Sequence, residues 1–310
     1  MAYTLRVSVL DACQLRCRYC LPASLGLIKK TSWLTLAQYE GIAQALKPFG
    51  IHKVRFTGGE PLLRSELSAI VQIFSTALSG VECAITTNGL RFIPLKHALL
   101  EAGITAITFH IDTLRPERYG LLMGDGELSV VLKSLEHAQK LGINVKLNVV
   151  MQKGVNDDEI RDFLLFSKQY GVVVRFIELM NTGSAQEYVR DTFMSGEDIL
   201  HEVSQHWTIS PVGRPDAHAP AELFLAHELG LQFGLIASDT RPFCQACNRL
   251  RLSADGHLRT CLYEPQGYKL DCSQGLSLYE QIAAVVSQKT SFHPLNRKER
   301  QNFSMAQIGG

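Results

Sequence analysis

The chain has 310 residues, of which 46% are hydrophobic and 20% are charged, a composition that argues against a disordered, collagen-like or coiled-coil protein. Its 31 Lys and Arg residues balance 30 Asp and Glu residues, and the net charge of +1 gives no sign of nucleic acid or an anionic membrane as a partner. No apolar run approaches the roughly 20 residues of a membrane helix, and residues 1–11 lack the apolar stretch and cleavage site of a secretory signal. We therefore expect a cytoplasmic protein of one or two domains.

A strand–helix unit repeats through the first 180 residues. Six strands are predicted, at residues 4–10, 53–57, 82–86, 106–111, 144–150 and 172–179. Apolar residues between them have the i, i+3, i+4 spacing of one helix face. Five of these segments end in a glycine shortly before the next strand, as a left-handed C-cap would: Gly50, Gly80, Gly103, Gly142 and Gly171. Six such units predict a parallel sheet with right-handed crossovers, which is either open and doubly wound or a full or partial barrel.

The repeat stops after Met180. A loop is predicted at residues 181–184, and Ser195 followed by Asp198 resembles a capping box that starts a helix ending near residue 207. Prolines at positions 211, 215 and 220 then predict a linker, because this stretch has few apolar residues. We therefore predict two domains, residues 1–210 with the repeat and residues 211–310 as a smaller appended domain.

Six of the eight cysteines fall into two groups near opposite ends of the chain. The first group is Cys13, Cys17 and Cys20, and the second group is Cys244, Cys247 and Cys261. In a cytoplasmic chain of this length, grouped thiols are more typical of metal ligands or redox groups than of disulfides. Cys83 lies alone in an apolar run and is expected to be a buried structural thiol.

The first cysteine group directly follows the first strand, at the edge where β/α folds form binding sites. Three thiolates in the spacing Cys-x3-Cys-x2-Cys can hold three irons of a [4Fe–4S] cluster and leave the fourth iron open. Structural zinc is the alternative, but it needs a fourth ligand, for which there is no candidate nearby. Gly-Gly-Glu-Pro at residues 58–61 follows the second strand. Its glycines would let a ligand approach the backbone closely, and its glutamate would anchor an ammonium group.

The second cysteine group has the spacing Cys-x2-Cys-x13-Cys, which leaves two interpretations open. One is a zinc site with Cys272 or His257 as the fourth ligand, and the other is a second cluster with an open iron. Arg249 and Arg251 follow closely, and their i, i+2 spacing puts both guanidinium groups on one face of a strand. Two guanidinium groups on one face suit an anion such as phosphate.

Charged residues interrupt strands that should read as continuous apolar runs in a parallel sheet. Arg55, Lys146 and Arg175 are the interrupting cations. Because side chains alternate between the faces of a strand, these cations can point inward while their neighbours pack on the helices. Several inward cations, with the two arginines of the second group, indicate an anionic ligand, and a triphosphate fits. Separate ion pairs, such as Arg175 with Glu178, are the alternative.

Together these motifs resemble the radical S-adenosylmethionine (SAM) superfamily and, over nearly the full length, the GTP 3′,8-cyclases of molybdenum cofactor biosynthesis. The resemblance to the superfamily rests on the first cysteine group, with Tyr19 inside it, and on Gly-Gly-Glu-Pro. The resemblance to the cyclases adds Phe-Cys-x2-Cys-Asn-Arg-x-Arg at residues 243–251 and the segments at 5–9, 55–61, 86–89, 144–149, 175–180 and 309–310.

The resemblance implies a partial (β/α)6 TIM-like barrel with a smaller C-terminal α+β domain that holds a second cluster and the GTP site. The implied cofactors are SAM and two [4Fe–4S] clusters, one on each cysteine group. In such enzymes SAM yields a 5′-deoxyadenosyl radical, which takes the 3′ hydrogen of GTP before the ribose carbon bonds to guanine C8. The implied partners are a flavodoxin- or ferredoxin-like electron donor and the downstream cyclic pyranopterin synthase. We expect a monomer or a homodimer.

The resemblance also implies roles for individual residues. Substrate binding is expected of Arg6, Arg55, Thr86, Lys146, Arg249 and Arg251, to which Arg175 is added as an inward cation. Cofactor binding is expected of Tyr19, Gly58, Gly59, Glu60, His110 and Met180. Catalytic roles are expected of Arg249, Arg251 and the terminal Gly309 and Gly310, which in the family reach the active site. A frayed terminus is the alternative for the two glycines.

The chain departs from the family pattern at two places. Residues 10–14 read Leu-Asp-Ala-Cys-Gln where the family usually has Thr-Asp-Arg-Cys-Asn, and His110 stands where the family has a serine that contacts SAM. His110 either contacts the cofactor or marks a divergent paralogue with another substrate. Two alternative functions make different predictions about the sequence. A radical enzyme acting on a peptide commonly has more C-terminal cysteines, and a zinc-binding nucleic-acid or adaptor protein predicts a basic surface and four ligands per site.

Overall fold

The computed structural model of the protein describes residues 2–20, 33–180, 186–264, 267–272 and 277–290. The predicted loop at residues 181–184 and the terminal Gly309 and Gly310 lie outside these ranges. Within the ranges, no helix combines the length and the hydropathy that a membrane crossing requires.

Six parallel strands, with helices between them, form a partial (β/α) barrel. The strands are β1 (Tyr3–Ser8), β2 (Ile51–Thr57), β3 (Glu82–Thr87), β4 (Ile104–His110), β5 (Asn144–Met151) and β6 (Val173–Glu178). The helices are α1 (Leu36–Leu46), α2 (Leu67–Ala77), α3 (Phe92–Glu101), α4 (Pro116–Met123), α5 (Leu128–Lys140) and α6 (Ile160–Tyr170). Each strand pairs in parallel with the next strand along the chain. The predicted repeat is confirmed, and its strand ends differ from the predicted ones by at most two residues.

The C-terminal part of the chain extends both edges of this sheet. It contains α7 (Gln186–Thr192), α8 (Gly196–Ser204), β7 (Ile209–Gly213), β8 (Glu222–Ala226), β9 (Leu231–Ile236), β10 (Arg249–Leu252), β11 (His257–Arg259), β12 (Tyr268–Lys269) and α9 (Leu278–Ser287). Strand β9 joins β6 and strand β10 joins β1, both in parallel, so the order is β12-β11-β10-β1-β2-β3-β4-β5-β6-β9-β8-β7. The sheet therefore draws on both halves of the chain. The division at residue 210 stays a prediction, and β7 spans that residue.

The linker predicted from the three prolines is wrong at its start. Pro211 lies inside β7, where it is the register partner of Phe224 on β8. Strand β7 is the last strand of the sheet. Proline is tolerated there because an edge strand has no hydrogen-bonding partner on its outer side.

Alternation along the strands separates a packed outer face from a polar lumen. Val145, Leu147 and Val149 of β5 are buried in the main hydrophobic core, whereas Lys146 between them lines a central cavity. The inward orientation predicted for Lys146 is therefore confirmed. Cys83 is fully buried in the same core, as expected of a structural thiol.

Local start and stop signals confirm several predicted helix ends. All five glycines predicted to end helical segments have positive φ. Gly50 and Gly171 occupy the left-handed region, at 63° and 62°. The hydroxyl of Ser195 accepts a bond from the amide of Asp198, whose carboxylate accepts from the Ser195 amide in return, and this capping box starts α8. The glycines thus end their helical segments shortly before the next strand, and the capping box fixes the start of α8.

Candidate active site

A cavity of about 690 Å³ occupies the lumen, a volume typical of a small-molecule site. All the predicted cysteine ligands and all the predicted cofactor and substrate residues line it. They are Arg6, Cys13, Cys17, Tyr19, Cys20, Arg55, Gly58, Gly59, Glu60, Thr86, His110, Lys146, Arg175, Met180, Cys244, Cys247, Arg249, Arg251 and Cys261. Gly309 and Gly310, which were predicted to be catalytic, lie outside the described residues. Residues from both ends of the sequence therefore meet in one cavity.

The loop that carries the first cysteine group rests on the two glycines after β2. The amide of Gly59 donates to the carbonyl of Leu10 at 2.9 Å, and the amide of Glu60 donates to the carbonyl of Ala12 at 2.8 Å. A Cβ on Gly58 would lie 2.3 Å from the Leu10 oxygen, and a Cβ on Gly59 would lie 2.2 Å from the Ala12 oxygen. The missing side chains thus make room for the cysteine loop, a role that the sequence did not indicate. Contact between these glycines and SAM stays a prediction.

We expect Gly59→Ala to displace the first cysteine loop. The added Cβ would meet backbone atoms, which cannot move aside as a flexible side chain can. The expected results are a loss of roughly 2–4 kcal/mol of stability and a loss of iron from the first cysteine group. Thermal unfolding and iron content per chain measure both. Gly120→Ala on α4 is the control, because its Cβ would meet nothing within 4 Å, and wild-type values for Gly59→Ala would contradict the argument.

Glu60 ties the end of β2 to the end of β3. It is 1% exposed, and its carboxylate accepts bonds from the Leu62 amide at 2.9 Å, the Thr87 hydroxyl at 2.7 Å and the Asn88 amide at 2.7 Å. Burial raises the pKa of Glu60 to about 7, although these bonds favour the anion. Glu60 was predicted to anchor an ammonium group, but both of its carboxylate oxygens already accept hydrogen bonds within the protein. Asn88 also places its side-chain amide 3.9 Å from Sγ of Cys13, a contact that the sequence did not indicate.

The thiols of the first group suit an iron–sulfur cluster. None of Cys13, Cys17 and Cys20 is in a disulfide, and Cys17 is buried with its Sγ 3.8 Å from the sulfur of Met123. Burial raises the pKa of Cys17 well above its usual value, and negative charge on Cys20 and Cys13 raises it further. A bound metal removes the protons of such thiols and compensates their charge. The donor set therefore fits the irons of a [4Fe–4S] cluster.

Two cationic side chains, those of Arg249 and Lys289, lie close to the second cysteine group. The guanidinium group of Arg249 donates to Sγ of Cys247 at 3.2 and 3.3 Å and stacks on the ring of Phe243 at 4.6 Å. Lys289 donates to the carbonyl of Thr260 at 2.8 Å. Burial raises the pKa of Cys247, but the charges of Arg249 and Lys289 outweigh burial and lower it. Arg249 thus faces a thiol as well as the cavity, and Lys289 is a nearby cation that the sequence did not mark out.

Neither candidate for a fourth zinc ligand lines the cavity that the second cysteine group lines. Cys272 lines a separate surface pocket with Gln38, Lys269 and Asp271. His257 contacts Asp255 at 3.0 Å. Among the described residues, no three His, Cys, Asp or Glu side chains are close enough to hold a single metal ion. This placement favours the interpretation of the second group as a cluster site with three thiolate ligands.

We expect Cys272→Ser to leave the metal content of the protein unchanged. Its thiol lies outside the cavity that holds the other six grouped cysteines, so a cluster on the second group does not need it. Iron, sulfide and zinc per chain, measured after anaerobic reconstitution, check this. A variant that lost one metal equivalent would restore the zinc interpretation.

A row of guanidinium groups crosses the lumen on three adjacent strands. Arg6 of β1 is in register with Arg251 of β10 on one side and with Arg55 of β2 on the other. Burial lowers the pKa of Arg6 well below its usual value, and the charges of Arg251 and Arg55 lower it further. Burial likewise lowers the pKa of Arg251 to about 10. Cations held this close repel one another, so the row favours an anion in the cavity.

Neutral groups hold two of the lumen cations, Arg55 and Arg175. Arg55 donates to the hydroxyls of Thr86 at 3.0 Å and Thr108 at 3.1 Å. Arg175 donates to the side-chain oxygen of Asn148 at 2.9 Å and to Thr108 at 3.1 Å. Burial, with a further contribution from Arg55, lowers the pKa of Arg175 to about 9. Neutral partners orient these guanidinium groups without cancelling their charge.

The alternative ion pair between Arg175 and Glu178 is not formed. Glu178 is fully buried, and its carboxylate accepts bonds from the amides of Gly196 at 2.6 Å and Asp239 at 2.9 Å. Strand β6 ends at Glu178, so Met180 lines the cavity from beyond the strand.

His110 belongs to a hydrogen-bonded group of three side chains. Its Nε2 lies 2.6 Å from the hydroxyl of Tyr19 and 3.2 Å from Oδ2 of Asp112, to which Tyr19 donates at 2.7 Å. Asp112 is fully buried, and its Oδ1 accepts from the Val150 amide at 2.8 Å. Burial lowers the pKa of His110, but the charge and hydrogen bond of Asp112 outweigh burial and raise it. The histidine is therefore tied to Tyr19, within the first cysteine loop.

We expect His110→Ser to reduce the dependence of stability on pH above about pH 6.5. Because the folded-state pKa of His110 is raised, the folded protein holds the proton more strongly than the unfolded chain does. This stabilisation is complete below the unfolded pKa of about 6.5 and is lost as the pH rises through the folded pKa. Thermal unfolding between about pH 6 and pH 9 measures it. Exposed His97→Ser is the control, and equal pH dependence in wild type and His110→Ser would refute the expectation.

Family models and curated relatives match the chain over nearly its whole length. Residues 7–167 match the radical SAM superfamily model, and residues 172–295 match the Molybdenum Cofactor Synthesis C model. The GTP 3′,8-cyclase of Aquifex aeolicus (strain VF5) is 39% identical over 269 residues, which cover 86% of this chain and 83% of that protein. The GTP 3′,8-cyclase of Alkaliphilus metalliredigens (strain QYMF) is 37% identical over 316 residues, which cover 99% and 97%.

A solved structure shows the same fold. Streptococcus suis SuiB bound to S-adenosylmethionine matches with a TM-score of 0.67 at 14% identity, over 94% of this chain and 68% of that one. At this identity the match supports the barrel with its C-terminal extension and nothing finer. The matches over nearly the whole length carry the family assignment. The chain therefore belongs to the radical SAM superfamily and, within it, to the GTP 3′,8-cyclase family.

Proposed function

We propose that the protein is a radical SAM GTP 3′,8-cyclase of molybdenum cofactor biosynthesis. The observation that carries the proposal is the lumen cavity, where two groups of three cysteines and a row of guanidinium groups line the same space. The first cysteine group fits a cluster that starts radical chemistry, and the cations fit a substrate with several negative charges. The product is (8S)-3′,8-cyclo-7,8-dihydroguanosine 5′-triphosphate.

The first cysteine group is proposed to hold the cluster that binds SAM. When bound, a [4Fe–4S] cluster with one open iron supplies the electron that cleaves SAM into methionine and a 5′-deoxyadenosyl radical. Tyr19 of the first cysteine loop is hydrogen-bonded to His110 at the end of β4, and both are proposed to position the cofactor with Met180. Asp112 holds the first two through hydrogen bonds, so the cofactor would meet side chains that are already oriented.

The lumen cations are proposed to bind the triphosphate of GTP. Arg6, Arg55 and Arg251 form the row across three adjacent strands, and Lys146 of β5 and Arg175 of β6 line the same cavity. Hydroxyl groups such as that of Thr86 fix the guanidinium groups in the absence of substrate. A fixed phosphate chain would hold the ribose at one place in the cavity, which radical hydrogen transfer requires.

A second [4Fe–4S] cluster is proposed at Cys244, Cys247 and Cys261. The same three thiols line the cavity, and Arg249 and Arg251 lie beside them as the proposed catalytic arginines. Gly309 and Gly310 are proposed to complete the site. The proposed partners are a flavodoxin- or ferredoxin-like electron donor and the downstream cyclic pyranopterin synthase, and the proposed assembly is a monomer or a homodimer.

The test is a measurement of 5′-deoxyadenosine under anaerobic conditions. The protein is reconstituted with iron and sulfide, mixed with SAM and a strong reductant, and assayed with GTP, with ATP and without nucleotide. We expect 5′-deoxyadenosine to rise with GTP, together with loss of GTP. Formation that does not respond to GTP would indicate a divergent radical SAM enzyme with another substrate. No formation from protein that holds its clusters would overturn the proposal.

A further inference from the structure

Lys53 and Glu82 form an ion pair inside the cavity. They are register partners on β2 and β3, their Nζ and Oε1 atoms lie 2.8 Å apart, and both line the lumen. Glu82 shares its face of β3 with Thr86, which receives a bond from Arg55. The pair lies near the amino ends of its strands, whereas the first cysteine group follows the carboxyl end of β1. It therefore occupies the end of the lumen opposite the proposed SAM site.

Glu82 differs from the other carboxylates that line the cavity. Those carboxylates belong to Glu60, Glu178 and Asp216, and each accepts at least one hydrogen bond from a backbone amide. Glu82 instead faces a lysine, and its side chain is 44% exposed. It can therefore interact with whatever enters the lumen.

The charge of Glu82 reaches beyond its partner. Burial lowers the pKa of Lys53, Arg55 and Lys146, and the negative charge of Glu82 acts against burial at all three. Arg175 acts in the opposite direction on two of them, Lys53 and Lys146. Glu82 thus compensates part of the repulsion among the lumen cations.

We propose that Glu82 is an internal counter-ion, which occupies the electrostatic place of the substrate's terminal phosphate in the substrate-free protein and limits the affinity of the lumen for polyanions. The proposal rests on the proposed function, because it takes the anion to be the triphosphate of GTP. When the triphosphate enters, Lys53 exchanges a carboxylate for a phosphate, and the carboxylate that remains repels the anion. The repulsion grows with the charge of the phosphate chain.

Glu82→Gln tests the proposal, because glutamine keeps the size of the side chain and removes its charge. The reconstituted protein is titrated anaerobically with GTP, inorganic triphosphate and inorganic phosphate in a calorimeter. We expect the variant to bind triphosphate and GTP about three- to tenfold more tightly, with a smaller gain for phosphate. We also expect the substrate-free variant to unfold at a lower temperature, and saturating triphosphate to reverse the difference.

Two further variants separate charge from other effects. Glu66→Gln is the matched control, because Glu66 pairs with Arg64 at 2.7 Å, is also 44% exposed and lies outside the cavity lining. We expect it to leave anion binding unchanged. Glu82→Asp keeps the charge and is expected to retain the wild-type affinity for triphosphate. An equal gain in Glu82→Asp would attribute the effect to side-chain length and overturn the proposal.

The remaining outcomes distinguish the two proposals. If wild type binds GTP and Glu82→Gln binds it equally or more weakly, the counter-ion proposal fails and the proposed substrate stands. If neither protein binds GTP or inorganic triphosphate, the proposed substrate fails, and the counter-ion proposal fails with it. Tighter binding that increases from phosphate to triphosphate supports both.

Discussion

Cys17→Ala is expected to abolish 5′-deoxyadenosine formation and to lower the iron content of the reconstituted protein to about half. Cys17 is the most buried thiol of the first group, and its loss would leave two ligands for a cluster that needs three. Without that cluster, the protein would lack the group proposed to supply the electron that cleaves SAM. Iron content, visible absorbance and 5′-deoxyadenosine measure these effects. Cys83→Ala removes a buried thiol outside the cavity and is expected to retain both iron and activity.

The second cysteine group provides the contrast to this result. We expect Cys247→Ala also to lose about half of the iron, because the second proposed cluster would be lost. The SAM site would remain, so the variant should still cleave SAM, but cleavage should no longer respond to GTP. If Cys17→Ala and Cys247→Ala gave the same loss of SAM cleavage, the separate roles proposed for the two groups would be wrong.

Arg55→Met is expected to have opposite effects on substrate binding and on stability. We expect GTP affinity to fall roughly a hundredfold, within the 2–5 kcal/mol typical of losing one partner of a charged contact. We also expect the substrate-free protein to unfold at a higher temperature, because burial lowers the pKa of Arg55 and a buried cation is removed. Calorimetric titration with GTP and thermal unfolding test the two effects.

The control for Arg55→Met is Arg161→Met, at an exposed position on α6. It removes the same charge outside the cavity and should change neither quantity much. A variant at position 55 with wild-type GTP affinity and lower stability would mean that Arg55 serves the fold through Thr86 and Thr108 rather than the substrate. Together with Glu82→Gln, this experiment tests whether the lumen cations lower the stability of the substrate-free protein while they raise its affinity for anions.

Much of the fold could be predicted because its signals are local. The six strands and the glycines that end their preceding helices follow from periodicity and from the conformational freedom of glycine. The inward cations could be predicted as well, because a charge in an apolar strand has only two faces to choose from. The proline-rich stretch was misread, because the pattern around Pro211 does not distinguish a linker from an edge strand.

The site was less predictable where its contacts join distant segments. The resemblance named Glu60, but only the structure shows its carboxylate bonded to Thr87 and Asn88. The sequence predicted that Arg249 binds an anion, and the structure shows that its guanidinium group also contacts the sulfur of Cys247. Lys53 carried no signal of its own, because a lysine near a strand end is ordinary on a surface.

The sequence by itself determined the residue types: three thiols in each group, inward cations on alternating positions and a family pattern that spans the chain. These features depend on the spacing of residues within one segment, and that spacing is the same whichever segments pack against it. Only the tertiary structure decided that β10 joins β1 and β9 joins β6, so that both cysteine groups line one cavity. It also decided that Arg6 lies between Arg251 and Arg55, and that Glu82 faces Lys53. The physical reason is that register between strands depends on packing across the whole sheet, which no local spacing records.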